Sequence, residues 1–269
     1  MLWNRNSHNR LCLNVIGWLI IGWLIVPGIK ADAITQISTI NALLKGSYDG
    51  AISLRELKSF GDFGLGTYHR LDGEMVLLDG TFYQIKADGQ ITLPDLETTT
   101  PFAAVTLFNP VIRCDLDTMM TMKRLESLLD SLLVSRNLFH AIRIDADFSH
   151  VKARSVPPQS KPYPELTAVT RKQPVFDIDN SPGTLVGYYC PAYCAGINVP
   201  GYHLHYLSDD RKKGGHVLDF TARHLIIKLE PIHHFKLELP RDSFFYSIDL
   251  SGNQQDAVRQ AEQNPTRPH

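Results

Sequence analysis

An excess of either charge is the first thing this 269-residue chain lacks. Lys and Arg number 27 against 28 Asp and Glu, for a formal net charge of −1. Without a basic excess or an acidic tail, nothing in the sequence points to a nucleic-acid partner, and an anionic ligand must be met by a local charge. Cysteine is also scarce. Of the four, Cys12 lies near the N-terminus, Cys114 stands alone, and Cys190 and Cys194 have three residues between them. That spacing is not the Cys-x-x-Cys of a zinc knuckle, although it leaves a short local disulfide open. No His-Glu-x-x-His occurs, so the helical signature of zinc proteases is missing. There is no internal repeat. The apolar run at residues 11–26 is shorter than the roughly 20 residues that a membrane-spanning helix needs.

That run has informative flanks. A polar segment with Arg5 and Arg10 and no acid precedes it, and Pro27, Gly28 and the triplet Ala31-Asp32-Ala33 follow. Charged, apolar and then small is the order of a secretory signal. Residues 1–33 are therefore expected to be a signal peptide, and the protein to be exported to a periplasm or secreted, off the membrane once the signal is removed. An uncleaved anchor is the alternative.

The remainder, 43% hydrophobic over the whole chain, suffices for a substantial core. The pattern predicts helices at 37–44, at 54–60 with Ser53 as N-cap, at 117–133 with Asp117 as cap, and at 254–263. Strands are predicted at 73–78 and 81–86 around Asp79-Gly80, a hairpin signal. Others are predicted at 102–108, 141–148, 183–190, 201–207, 216–222 and 224–233. Within 141–148, Ile142 and Ile144 share one face, and Arg143, Asp145 and Asp147 the other. Residues 151–174, with five prolines, read as a long loop or domain junction. The expected fold is α+β, with two mostly antiparallel or mixed sheet regions and a few flanking helices. Residues 34–174 would form an N-terminal mixed sheet domain with helices. Residues 175–269 would form a C-terminal antiparallel domain carrying a metal site.

That site is read from three histidines. His203-Leu204-His205 sits in an apolar strand, where residues two apart share a face. A polar turn ending in Gly214-Gly215 follows, and His216 opens the next strand. If the strands pair as a hairpin, His216 faces the other two, and three imidazoles leave one position of a tetrahedral zinc open, as catalysis requires. Spacing alone does not choose zinc over iron, copper or manganese. It also leaves room for ordinary histidines on a wetted face, for a secreted metal binder, and for an exported zinc hydrolase or metal oxygenase.

The blocks around these histidines narrow the choice. Gly201-Tyr202-His203-Leu204-His205-Tyr206-Leu207-Ser208-Asp209-Asp210-Arg211 and Gly214-Gly215-His216-Val217-Leu218-Asp219-Phe220 closely resemble the signature of the acetolactate decarboxylase family. Gly61-Asp62-Phe63-Gly64-Leu65-Gly66-Thr67-Tyr68, Leu71-Asp72-Gly73-Glu74, Ile142-Arg143-Ile144-Asp145 and Gly196-Ile197-Asn198-Val199-Pro200-Gly201 resemble its other blocks. The resemblance covers roughly residues 37–250, a domain-sized span. It implies zinc-dependent decarboxylation of 2-acetolactate to acetoin, with His203, His205 and His216 as the metal ligands. It further implies Glu74, Arg143 and a C-terminal glutamate, Glu262, as catalytic groups, and a homodimer. Thr67 is a candidate hydroxyl for the substrate.

Overall fold

Strand-forming residues punctuated by glycine turns carry most of the chain into two sheets, in a computed structural model that describes residues 33–262. The signal reading thus lies outside the described residues, except for Ala33. The first half contains β1 (Ala33–Ile37), α1 (Ile40–Leu44), β2 (Ile52–Ser53), α2 (Leu54–Lys58), β3 (Phe63–Thr67) and β4 (Glu74–Leu78). It continues with β5 (Thr81–Ile85), β6 (Ile91–Thr92), β7 (Thr99–Thr100), β8 (Ala103–Thr106), β9 (Ile112–Leu116), β10 (Met120–Thr121) and α3 (Met122–Leu132). Then come β11 (Phe139–Arg154), α4 (Leu166–Thr170), β12 (Val175–Cys190), β13 (Gly201–Ser208) and β14 (Gly214–Ile232). The described chain ends with β15 (His234–Glu238), α5 (Ser243–Ser247) and α6 (Gln255–Glu262).

A seven-stranded sheet has the order β15-β1-β8-β3-β4-β5-β6, with β15 parallel to β1 and the other neighbours antiparallel. A six-stranded sheet runs β10-β14-β11-β12-β13, with β9 also on β14. Because β13 pairs back onto the start of β14, strands β11, β12, β13 and β14 close a circuit. Alternation assigns the two faces of the second sheet. Ile142, Ile144, Leu185, Leu204 and Tyr206 face a core closed by Leu125 and Leu129 of α3. Ala141, Val186, Tyr188 and Leu207 face Phe63, Leu65 and Val76 of the first sheet. Burying each such leucine or phenylalanine contributes on the order of 1.5–3 kcal/mol.

The α+β expectation, with two sheets and histidines on the C-terminal strands, is met. The hairpin at Asp79-Gly80 forms, with both residues at positive φ (50° and 74°), as a tight turn matched to strand twist demands. Ser53 caps α2 by accepting from the Glu56 N–H.

Other expectations are corrected. Ile37 ends a strand, and α1 begins only at Ile40 because Thr39 caps it. Thr121, not Asp117, caps α3; Asp117 pairs with Arg223 and His224. The strand at 141–148 runs on to Arg154, so the first residues of the supposed loop are paired backbone. The expected boundary at 174/175 separates β11 from β12, which are hydrogen-bonded neighbours, while β15 returns to the first sheet. Strands from both sides of that point therefore share a sheet, and the described residues cluster together. The question left open at Cys190 and Cys194 resolves to two buried, unbridged thiols.

Close packing of β12 on β13 sets the histidine backbone. A Cβ added at Gly187 would lie 2.0 Å from the His203 carbonyl oxygen. Gly187→Ala is therefore expected to lower unfolding free energy by about 1–3 kcal/mol and to weaken metal binding with it. Chemical denaturation together with a zinc titration checks both.

Candidate metal centre and its cleft

His203 and His205 leave β13 on the face turned toward the first sheet, and β14 returns with His216 directly opposite His205. All three are buried. Their ring centroids are 4.9–5.3 Å apart, and one nitrogen from each lies within 4.8 Å of the other two.

The outward nitrogens of two rings are tied to carbonyls. His205 Nδ1 lies 2.8 Å from the Met75 oxygen of β4, and His216 Nε2 lies 2.8 Å from the Glu262 oxygen of α6. A carbonyl only accepts, so those nitrogens carry the protons, and His205 Nε2 and His216 Nδ1 turn lone pairs inward. Buried His205 Nε2 has no hydrogen-bond partner. His203 Nε2 and His216 Nδ1 are 3.2 Å apart, close to the roughly 3.3 Å between two nitrogens that share a tetrahedral zinc at about 2.05 Å.

Burial, seconded by the Arg154 charge, lowers the His203 pKa to about 3. Burial chiefly drives His205 and His216 well below the usual histidine value, with charged neighbours adding to it. Neutral imidazole is the form that binds metal. The donor set, the partnerless nitrogen and the missing protons fit one divalent cation.

Beside the histidines is a buried ionic cluster. Arg154 donates from one terminal nitrogen to Glu74 Oε1 at 3.0 Å, and from the other to Glu262 Oε2 and the Ala261 carbonyl, both at 2.9 Å. Glu74 Oε2 lies 3.5 Å from His205 Nε2, and Glu262 Oε2 lies 3.7 Å from His216 Nδ1. One guanidinium thus serves two carboxylates. Burial pushes the Glu74 carboxyl up to about 7, with Arg154 opposing and Glu262 adding to the rise. Glu262 is raised for the same first reason, against Arg154. The buried Nε of Arg154 has no hydrogen-bond partner.

Glu74, Arg154, Glu262, His203 and His205 line a small cleft walled by Leu43, Leu71, Phe102, Val156 and Leu166. Thr67 also lines it, donating its hydroxyl to the Gly73 carbonyl at 2.8 Å.

The structure therefore gathers His203, His205, His216, Glu74, Glu262 and Thr67. It does not bring Arg143 to them. Arg143 is bonded to Asp79 at 2.9 Å and to Asp145 at 3.1 Å. Burial pushes the Asp145 carboxyl up, but the Thr184 hydroxyl, Arg143 and Lys228 hold it below its usual value.

The pairing explains the difference. Arg154, His216, His205, Val186 and Arg143 lie in one row around the strand circuit. Arg154 is next to a histidine, whereas Arg143 is two strand spacings from His205, roughly 10 Å. Both arginines face the same way because the inward positions of β11 switch from even (Ile142, Ile144, Phe148) to odd (Val151, Ala153) across an irregularity near Ser149. The one available sequence signal for Arg154 was the apolar pattern of Val151, Ala153 and Val156 continuing around it.

Comparison with known proteins bears directly on this site. The family model described as alpha-acetolactate decarboxylase matches residues 34–252. The chain belongs to the alpha-acetolactate decarboxylase family. It is 45% identical to an alpha-acetolactate decarboxylase of Methanosarcina mazei over 240 residues, covering 88% of this chain and 83% of that protein. It is 44% identical to that of Methylococcus capsulatus over 235 residues, with 87% and 90% covered. A crystal structure of the alpha-acetolactate decarboxylase from Bacillus subtilis superposes with a TM-score of 0.84 at 39% identity, covering 86% of this chain and all of that one. The family resemblance read from the sequence blocks is borne out.

The two arginines separate by experiment. Arg154→Gln leaves two glutamates without a cation and is expected to lower kcat/KM by at least about 100-fold. Arg143→Gln breaks a partly exposed pair and is expected to lower stability by about 1 kcal/mol while leaving kcat/KM within about threefold. Steady-state kinetics and denaturation on both variants test this assignment, and equal losses of activity would refute it.

Proposed function

We propose that the protein decarboxylates 2-acetolactate to acetoin and carbon dioxide, with zinc held by His203, His205 and His216. The observation that carries this reading is three neutral, buried imidazoles converging beside a carboxylate–guanidinium–carboxylate cluster in a small cleft. Family membership supplies the substrate. Zinc is favoured because an all-imidazole nest with an open side is a common catalytic zinc set.

The substrate has a carboxylate and a hydroxyl on one carbon and a ketone on the next. Breaking the bond to the carboxylate leaves an electron pair, which the neighbouring carbonyl accepts to give an enediolate. His203, His205 and His216 would hold a cation, which would supply Lewis-acid stabilisation of the negative charge that develops. The partnerless Nε–H of Arg154 is available to donate to a substrate oxygen, and its two occupied nitrogens fix the plane from which it does so. Burial favours the protonated form of Glu74, and because Arg154 occupies Oε1, Oε2 is the oxygen left to carry the proton. It delivers that proton to the enediolate carbon and is reprotonated from solvent, completing one C–C cleavage and one C–H formation. Glu262, bonded to Arg154 and at the end of α6, shapes the field around both. The apolar wall receives the methyl groups and keeps water from the reacting carbon. A hydrolase or oxygenase on the same histidines draws support from the histidines alone.

Metal-loaded protein is expected to convert racemic acetolactate to acetoin and carbon dioxide, to stop when chelated, and to resume when zinc is restored. Glu74→Gln is expected to retain the cation while losing about 100-fold or more in turnover. Absence of acetoin from the metal-loaded enzyme sinks the reading, and full activity of the glutamine variant removes Glu74 from it.

The N-terminal pattern supports export, and the family resemblance supports a homodimer. The secreted form should begin near Ala33 or Ile34 and have twice the mass of one chain by light scattering. Recovery of intact Met1 on membranes would point to an anchor instead.

A further inference from the structure

The last described helix does more than deliver Glu262. An isolated helix of eight residues is unstable in water, and α6 has few attachments. Val258 and Ala261 are its buried apolar side chains, set among Ile40, Leu43, Leu166 and Val169. At its last described residues, two backbone carbonyls are taken up by the site. The Ala261 oxygen accepts from Arg154, and the Glu262 oxygen accepts from His216 Nε2. The carbonyl dipoles of this turn thus point at a guanidinium and at the histidine nest, where positive charge is favoured.

We infer that α6 is a positioning element whose docking and cation binding are coupled: seating the helix fixes the His216 tautomer and the Arg154 plane, and an occupied site holds the helix down. The inference rests on the three histidines being the metal site. Its reciprocity is obligatory, because whatever the helix contributes to cation affinity, the cation must return to helix docking. Val258 is the place to probe this, since it packs in the apolar cluster that seats α6 and is not among the residues lining the cleft. Leu43 and Leu166 belong both to its cluster and to the cleft wall, so the cluster that seats the helix also shapes the site.

The experiment uses the full-length protein with zinc as the probe, and reads zinc affinity by competition with a chromophoric chelator and amide hydrogen exchange across residues 255–262. Chelation of the wild type is expected to speed exchange in α6 by roughly tenfold, with less change in β13 and β14. Val258→Ala is expected to weaken zinc affinity by roughly 3- to 10-fold, and Val258→Ile to restore most of it. Val105→Ala removes the same two methyl groups from a separate core cluster and is expected to lower stability without moving zinc affinity, which a merely structural role for Val258 would mimic. Zinc binding to the wild type with α6 exchange unchanged by chelation, or with Val258→Ala no weaker than Val105→Ala, overturns the coupling while leaving the metal site standing. Failure of the wild type to bind zinc overturns both.

Discussion

Arg154 is a buried cation placed between two buried carboxylates, and most of the site can be understood as what that placement demands. A charge removed from water costs several kcal/mol unless partners replace the solvent. Glu74 comes from the start of β4, Arg154 from the end of β11 and Glu262 from the end of α6, so none can be stabilised until three distant segments are folded together. With one positive charge facing two acids, the cluster is short of positive charge, and burial raises both carboxyl pKa values. A divalent cation on the adjacent histidines would supply the missing charge. The histidines stay neutral in part because Arg154 is already beside them, so the group that holds the glutamates also keeps the ligand nitrogens free of protons.

The elements differ in how firmly they present these groups. β13 and β14 are paired to each other, to β12 and to β11, and the Met75 carbonyl of the first sheet fixes the His205 ring. Histidines there are held by a closed circuit of strands packed on both faces. Glu262 is the last described residue of α6, whose buried apolar side chains are Val258 and Ala261. The rigid part of the site defines where the cation and the substrate oxygens go, and the less firmly held part brings a carboxylate and two carbonyls to complete it.

Much of this was legible in the sequence, and for identifiable reasons. His203, His205 and His216 declared themselves because strand alternation is local and the glycine-ended turn between them forces a hairpin. The Asp79-Gly80 turn and the α3 stripe were equally local. What failed depended on long-range pairing. The end of β11 was hidden by the prolines that follow it, and the irregularity near Ser149 reversed the face of everything after it. Plain alternation therefore made Arg143 visible and left Arg154 unnoticed. The pairing of β11 with β12 across the proline-rich loop is a long-range contact of the same kind, which local patterning does not reveal. Glu262 had no local signal; it came from the resemblance, and the fold places it at the site.

The two arginines also show how an ionisable group acquires a role from its neighbours. Both lie in one row of the same strand circuit and face the same side. Arg143 is surrounded by Asp79 and Asp145 and is partly exposed, so its charge is consumed in holding the β4–β5 turn against the second sheet. Arg154 meets carboxyls whose own pKa values are raised, retains an unpartnered N–H and looks into a cleft. A guanidinium with a donor to spare, fixed in a nearly dry site, interacts far more strongly with charge developing on a substrate than the same group would at a wet surface. Position in the row, not residue type, therefore decides which arginine is available for chemistry.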